Sequence, residues 1–154
     1  GLDVRAGVDA APVYVLNTLL QEVAREGTAR SLYSALPDYF NVAGKTGTSN
    51  DLRDSWFAGF SGDYVGVVWV GRDDNQPSKL TGARGALPIW VDAFRRFSHA
   101  PLELTPTEKV ELVWTDPDGK RSKESCPGAR LLAYLVGSSP VDAGASDCAG
   151  AIPP

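Results

Sequence analysis

The chain has no methionine in its 154 residues, a single histidine and two cysteines. A translated chain ordinarily begins with Met, so one that opens at Gly1 and contains none reads as processed, or as a piece of something larger. One His and two Cys are a thin set of metal ligands, and neither metal nor cofactor is expected. No apolar run approaches the ~20 residues that span a bilayer. No positive-then-apolar leader stands at the start, so any anchor or targeting segment is expected outside this sequence. Positive charge is also short, with 15 Lys and Arg against 19 Asp and Glu. A nucleic-acid binder would show a basic face, so that class is set aside. No repeat of solenoid period is visible. What remains is globular: 43% hydrophobic and 22% charged residues can bury a core.

Composition shifts along the chain. Both cysteines and seven of the eleven prolines fall after residue 100. Ser98-His99-Ala100-Pro101 reads as a linker, which divides the chain into residues 1–99 and 100–154. The first part opens with apolar residues at helical spacing, Val13, Leu16, Leu20 and Val23. Pro12 suits a first helical turn, and Gly27 is placed to stop the helix with a left-handed cap. A short turn is expected over Arg30–Leu36, then an extended segment over Phe40–Thr48. Trp56–Phe60 and Tyr64–Val70 read as strands joined by the turn Ser61-Gly62-Asp63. The second is nearly continuously apolar and is expected to be covered on both faces. A last helix over Pro88–Phe97 presents Leu87, Trp90, Val91, Phe94 and Phe97 as its stripe. Arg95, Arg96 and His99 stand at its end, where cations complement the dipole. Helices with strands joined by short turns make an α+β fold with an antiparallel sheet.

The second part reads as a small β extension. Val110, Leu112 and Trp114 alternate with polar neighbours except at Val113. Asp116-Pro117-Asp118-Gly119 is a turn sequence, and Leu131–Val136 is a further strand. Cys126 and Cys148 flank a loop in a module with little core. A bridge between Cys126 and Cys148 is expected, and closing that loop would contribute ~3 kcal/mol in the chain-entropy treatment. The alternative is two free thiols in a reducing cell.

The segment Ala43-Gly44-Lys45-Thr46-Gly47-Thr48 holds the chemistry. Gly44-Lys45-Thr46 matches the end of a phosphate-binding loop, but that pattern needs a glycine where Tyr39 stands and a helix directly after the Thr. Here Ser49-Asn50-Asp51 makes a loop, so the nucleotide reading fails. Read as a strand, the segment points Lys45 and Thr46 to opposite faces. Gly47 leaves room for a ligand backbone, and the Thr48 N–H can donate to a developing oxyanion.

Four stretches carry a family resemblance in order. They are Glu26-Gly27-Thr28-Ala29, Val42–Asn50, Asp54-Ser55-Trp56-Phe57-Ala58-Gly59-Phe60 and Val68-Trp69-Val70-Gly71-Arg72-Asp73-Asp74. Over about Ala11–Phe97 the chain resembles the C-terminal part of the transpeptidase domain of bifunctional class A penicillin-binding proteins. Asp73–Ala83 and the cysteine-bearing tail are similar to the 1b type. The resemblance implies a penicillin-recognising α+β fold and a periplasmic serine D,D-transpeptidase, anchored at the inner membrane outside this sequence. It implies stem peptides ending in D-Ala-D-Ala and β-lactams as ligands, and the remainder of the same polypeptide and cell-wall regulatory proteins as partners. Lys45 would set a positive charge where the substrate carboxylate docks. Thr46 and Thr48 would bond that carboxylate, Gly47 would admit the substrate backbone, and the Thr48 N–H would complete an oxyanion hole.

The nucleophile motif Ser-x-x-Lys and the second motif Ser-x-Asn are both absent, so this sequence alone is expected to be inactive. Truncation or cleavage upstream of Gly1 is the economical reading. A non-catalytic binding module with a vestigial Lys-Thr-Gly strand is the alternative, and an upstream in-frame Ser-x-x-Lys would separate the two. A class A β-lactamase is a third reading, which the tail does not fit. Trp56, Phe57 and Trp69 are expected in the core, and Arg72, Asp73 and Asp74 at a solvent-exposed strand end. His99 is taken as a helix-end residue, since these enzymes use lysine as the base.

Overall fold

The computed structural model describes residues 7–37, 39–97, 100–141 and 148. Ser98 and His99 lie outside them, and with them half of the expected linker. Two compact units are formed, one by Leu19–Leu104 and the other by the chain on either side of it. The elements are helix α1 (Ala10–Arg25), strands β1 (Ala43–Thr48), β2 (Ser55–Phe60) and β3 (Val65–Val70), helix α2 (Ala86–Phe94), and strands β4 (Val110–Thr115) and β5 (Arg130–Leu135). Short 3₁₀ turns stand at Arg30–Ser34 and Asn50–Leu52. The fold is α+β with antiparallel sheets, as the sequence led us to expect.

In the unit Leu19–Leu104 the strands run in the order β1-β2-β3. The register pairs Gly47 with Trp56 and Trp56 with Trp69. One face carries Gly44, Thr46, Phe57, Gly59, Gly66 and Val68, and α2 covers its β2 and β3 part. Phe57, Leu87, Trp90, Val91 and Phe94 form the core there with Leu32, Leu36 and Val42. Phe57 meets Trp90 edge-on at 5.1 Å between ring centroids, and Trp90 stacks on Phe94 at 3.6 Å. The Trp90 indole N–H donates to the Gly66 carbonyl at 3.0 Å.

Several expectations need correction. β3 is covered on one face only, for Val65, Val67 and Trp69 are exposed while Val68 and Val70 pack on the core. Trp56 and Trp69 share that open face, so of the three aromatics expected in the core only Phe57 is buried. Apolar character without alternation thus concealed a strand with one open face. Phe97 is exposed and α2 has ended at Phe94. Val13 and Leu16 are exposed on α1, which instead buries Ala11 and Ala24. Gly27 has no left-handed backbone. It is small because a Cβ there would lie 2.9 Å from both the Val23 Cα and the Val23 carbonyl, and Ala29 N–H closes back onto that carbonyl.

The other unit contains the β4–β5 hairpin. Its inward residues on β4 are Val113 and Thr115, and Leu112 is exposed, the reverse of the alternation read from Leu112 and Trp114. The exception at Val113 was the true phase. Asp116 accepts from the Asp118 and Lys120 N–H groups, which builds the turn. Lys109 donates to the Asp9 carboxylate at 3.1 Å, which holds that carboxyl below its ordinary value. Cys126 and Cys148 are joined by a disulfide, with Cα atoms 5.2 Å apart.

Reduction of this bridge is expected to lower amide protection at Val110–Thr115 and Arg130–Leu135 while leaving Ala43–Thr48 unchanged, because opening free energy belongs to cooperative units. Hydrogen exchange with and without reductant checks this. An equal fall in both places would show that the two regions open together.

Candidate functional site

β1 is an outer strand of its sheet. In an antiparallel pair alternate residues turn their N–H and C=O groups toward the partner. Ser49 N–H donates to the Asp54 carbonyl at 3.1 Å, which sets the phase. Gly47 and Lys45 therefore bond β2, and Thr46 and Thr48 turn their backbone groups to the outer edge. A ligand laid along that edge meets the Thr48 N–H directly.

The side chains divide as the pleat requires. Lys45 is exposed on the face shared with Gly47, Trp56 and Trp69. Its ammonium curls over the outer edge and donates to the Thr46 carbonyl at 2.7 Å. Thr46, on the opposite face, shares a hydrogen bond with Thr28 between their hydroxyls at 2.7 Å. Thr48 Oγ1 accepts from the Gly82 N–H at 3.0 Å. At Gly47 a Cβ would stand 3.1 Å from the Trp56 Cβ, so this glycine also lets the neighbouring tryptophan close onto the strand.

Beyond Thr48 the chain turns sharply. Asp51 and Leu52 hold left-handed backbone angles. Ser49 Oγ accepts the Asp54 N–H at 2.8 Å, and the Trp69 indole donates to the Asp54 carboxylate at 3.0 Å. Chiefly that indole bond, and then Ser49, keep the Asp54 carboxyl below its ordinary value. Ser55 is buried, donating to the Thr81 carbonyl and accepting from the Ala86 N–H, each at 2.9 Å. This bond pair ties β2 to the start of α2. Arg72 and Asp74 form a two-bond ion pair in solvent after β3. Among the described residues no three His, Cys, Asp or Glu side chains are grouped to hold a metal ion, and no helix is long and apolar enough to cross a membrane.

Penicillin-binding protein 1B of Haemophilus influenzae is 44% identical over 106 residues, which is 69% of this chain and 13% of that protein. Its counterpart in Escherichia coli is 42% identical over 112 residues, 73% of this chain and 13% of that protein. The chain is homologous to the transpeptidase region of class A penicillin-binding proteins. Penicillin-binding protein 1A of Pseudomonas aeruginosa is 43% identical over 88 residues, 54% of this chain and 10% of that protein. The chain thus spans about an eighth of the 1B relatives' length. No protein-family model matches it. The crystal structure of penicillin-binding protein 1A from Haemophilus influenzae shares the fold, with a TM-score of 0.74 at 22% identity over 87% of this chain and 21% of that one.

Four residues around this penicillin-binding-protein strand had no role in the sequence reading. Thr28 and Asp54 lie in stretches that carried the resemblance, and Gly82 lies in the Asp73–Ala83 stretch. Trp69 has the chemistry of a core residue yet stands exposed beside Asp54. Their partners Thr46, Ser49, Thr48 and Asp54 are between 5 and 34 positions away, a link that no local pattern encodes.

Proposed function

We propose that this chain is the part of a serine D,D-transpeptidase that carries the Lys-Thr-Gly substrate strand, within an enzyme that cross-links peptidoglycan and is acylated by β-lactams. The observation that supports it most is the outer edge of β1, where the Thr48 N–H and the Lys45 ammonium stand on the same side of the strand. A peptide ending in D-Ala-D-Ala laid along this edge would set its carboxylate near Lys45, Thr46 and Thr48. The serine of the Ser-x-x-Lys motif, supplied by the remainder of the polypeptide, adds its Oγ to the penultimate D-Ala carbonyl. Negative charge gathers on the carbonyl oxygen, to which the Thr48 N–H donates. The C–N bond then breaks and the terminal D-Ala leaves with the proton. The amine of a second stem peptide attacks the ester and regenerates the serine.

In this reading residues 1–99 are the C-terminal portion of the catalytic domain, and residues 100–154 are a disulfide-stapled extension. The enzyme works on the periplasmic face of the inner membrane, with its anchor outside this sequence.

The chain by itself has no Ser-x-x-Lys, so incubation with a fluorescent penicillin is expected to give no stable band at its mass on a denaturing gel. The polypeptide that includes the Ser-x-x-Lys region should give one. A stable band from the chain alone would overturn the assignment of the nucleophile to the remainder of the protein.

A further inference from the structure

We infer that Gly82 is a positioning residue for substrate binding: its N–H fixes the Thr48 hydroxyl as a hydrogen-bond donor toward the incoming carboxylate. The inference rests on the reading of β1 as the substrate strand. A hydroxyl has one proton to give and two lone pairs to receive with. Gly82 N–H occupies one lone pair of Thr48 Oγ1 at 3.0 Å. The proton is then directed elsewhere, which suits an anionic ligand.

Only glycine can hold this position. A Cβ at residue 82 would stand 2.6 Å from the Gly47 carbonyl oxygen, 2.6 Å from the Trp56 carbonyl oxygen and 2.9 Å from the Gly47 nitrogen. All three are backbone atoms of the β1–β2 ladder, which cannot give way as a flexible side chain would. Gly82 has no left-handed backbone, so the demand is for space rather than for an unusual dihedral. The loop is also held from behind. Ser55 Oγ donates to the Thr81 carbonyl, which also receives the Arg84 and Gly85 N–H groups, and Leu87 N–H donates to the Gly82 carbonyl. The start of α2 thus presses a single backbone N–H against the hydroxyl of Thr48.

The test uses the complete transpeptidase, with two acyl donors that differ only in a terminal carboxylate or carboxamide. Gly82→Ala is expected to slow acylation by the carboxylate donor about tenfold or more, the scale of one mispositioned hydrogen bond to a charged group. The carboxamide donor should be slowed much less. Thr48→Val should reproduce this loss of discrimination, Thr48→Ser should restore it, and adding Gly82→Ala to Thr48→Val should cost little more. Equal slowing of both donors by Gly82→Ala, or full additivity with Thr48→Val, would overturn the inference.

If Gly82→Ala does not fold, Thr48→Val and Thr48→Ser decide the matter through exchange of the Gly82 amide. Faster exchange in Thr48→Val alone supports the bond, and equal exchange in both refutes it. Lys45→Ala distinguishes failure of the substrate strand from failure of Gly82. Normal acylation in Lys45→Ala would fail the substrate-strand reading itself. Slow acylation there, with unchanged discrimination in Gly82→Ala, would fail only the role of Gly82.

Discussion

Lys45→Ala in the complete transpeptidase is expected to lower the acylation rate by about two orders of magnitude or more, the effect of losing ~3 kcal/mol of electrostatic stabilisation. The side chain is exposed, and its one hydrogen bond among the described residues runs to the carbonyl of the following residue. It buries little apolar surface, so folding should be nearly unaffected. The ammonium lies at the outer edge of β1, and in the proposed function its charge would act on the carboxylate and on the oxyanion that follows. Lys45→Arg should recover part of the rate, since it keeps the charge but spreads it over a planar group. Stopped-flow measurement with a fluorescent penicillin gives the acylation constant directly. Unchanged kinetics, with the melting temperature also unchanged, would remove Lys45 from the site.

Trp90→Ala is expected to destabilise the chain by about 3–5 kcal/mol, the range for deleting a buried aromatic side chain. Trp90 is 1% exposed and lies between Phe57 and Phe94. Removing it opens a cavity between α2 and the sheet and deletes the indole bond to Gly66. Much of the stability typical of small domains would be lost. Trp90→Phe retains a ring and should cost markedly less. Urea unfolding followed by far-ultraviolet circular dichroism measures both variants. A loss below about 1 kcal/mol for Trp90→Ala would show that the core closes over the gap.

The sequence was informative wherever a physical pattern was local. The turn at Ser61-Gly62-Asp63 and the stripe Leu87, Trp90, Val91 and Phe94 needed only neighbouring residues, and the structure places each as expected. The Lys-Thr-Gly strand was legible because the stretches around it carry the family resemblance, while the phosphate-loop reading lacked a glycine at Tyr39 and a helix after Thr46. Burial was read less well. Val65, Val67 and Trp69 look like core residues from their chemistry, yet only their pairing and the position of α2 decide which face is covered. Gly27 shows the same limit in miniature. A glycine after a helix suggests a left-handed cap, whereas here it admits a close approach to Val23. The links Thr28 to Thr46 and Gly82 to Thr48 were beyond reach because they join distant segments.

The two ends of the three-stranded sheet carry different protection against self-association. The β1 edge bears a lysine ammonium, which a second strand would have to desolvate before pairing. The open face of β3 presents Val65, Val67 and Trp69, with the Asp54 carboxylate held against the Trp69 indole. In the chain taken by itself, Val65 and Val67 leave exposed apolar surface whose burial against a second copy would be favourable at high concentration.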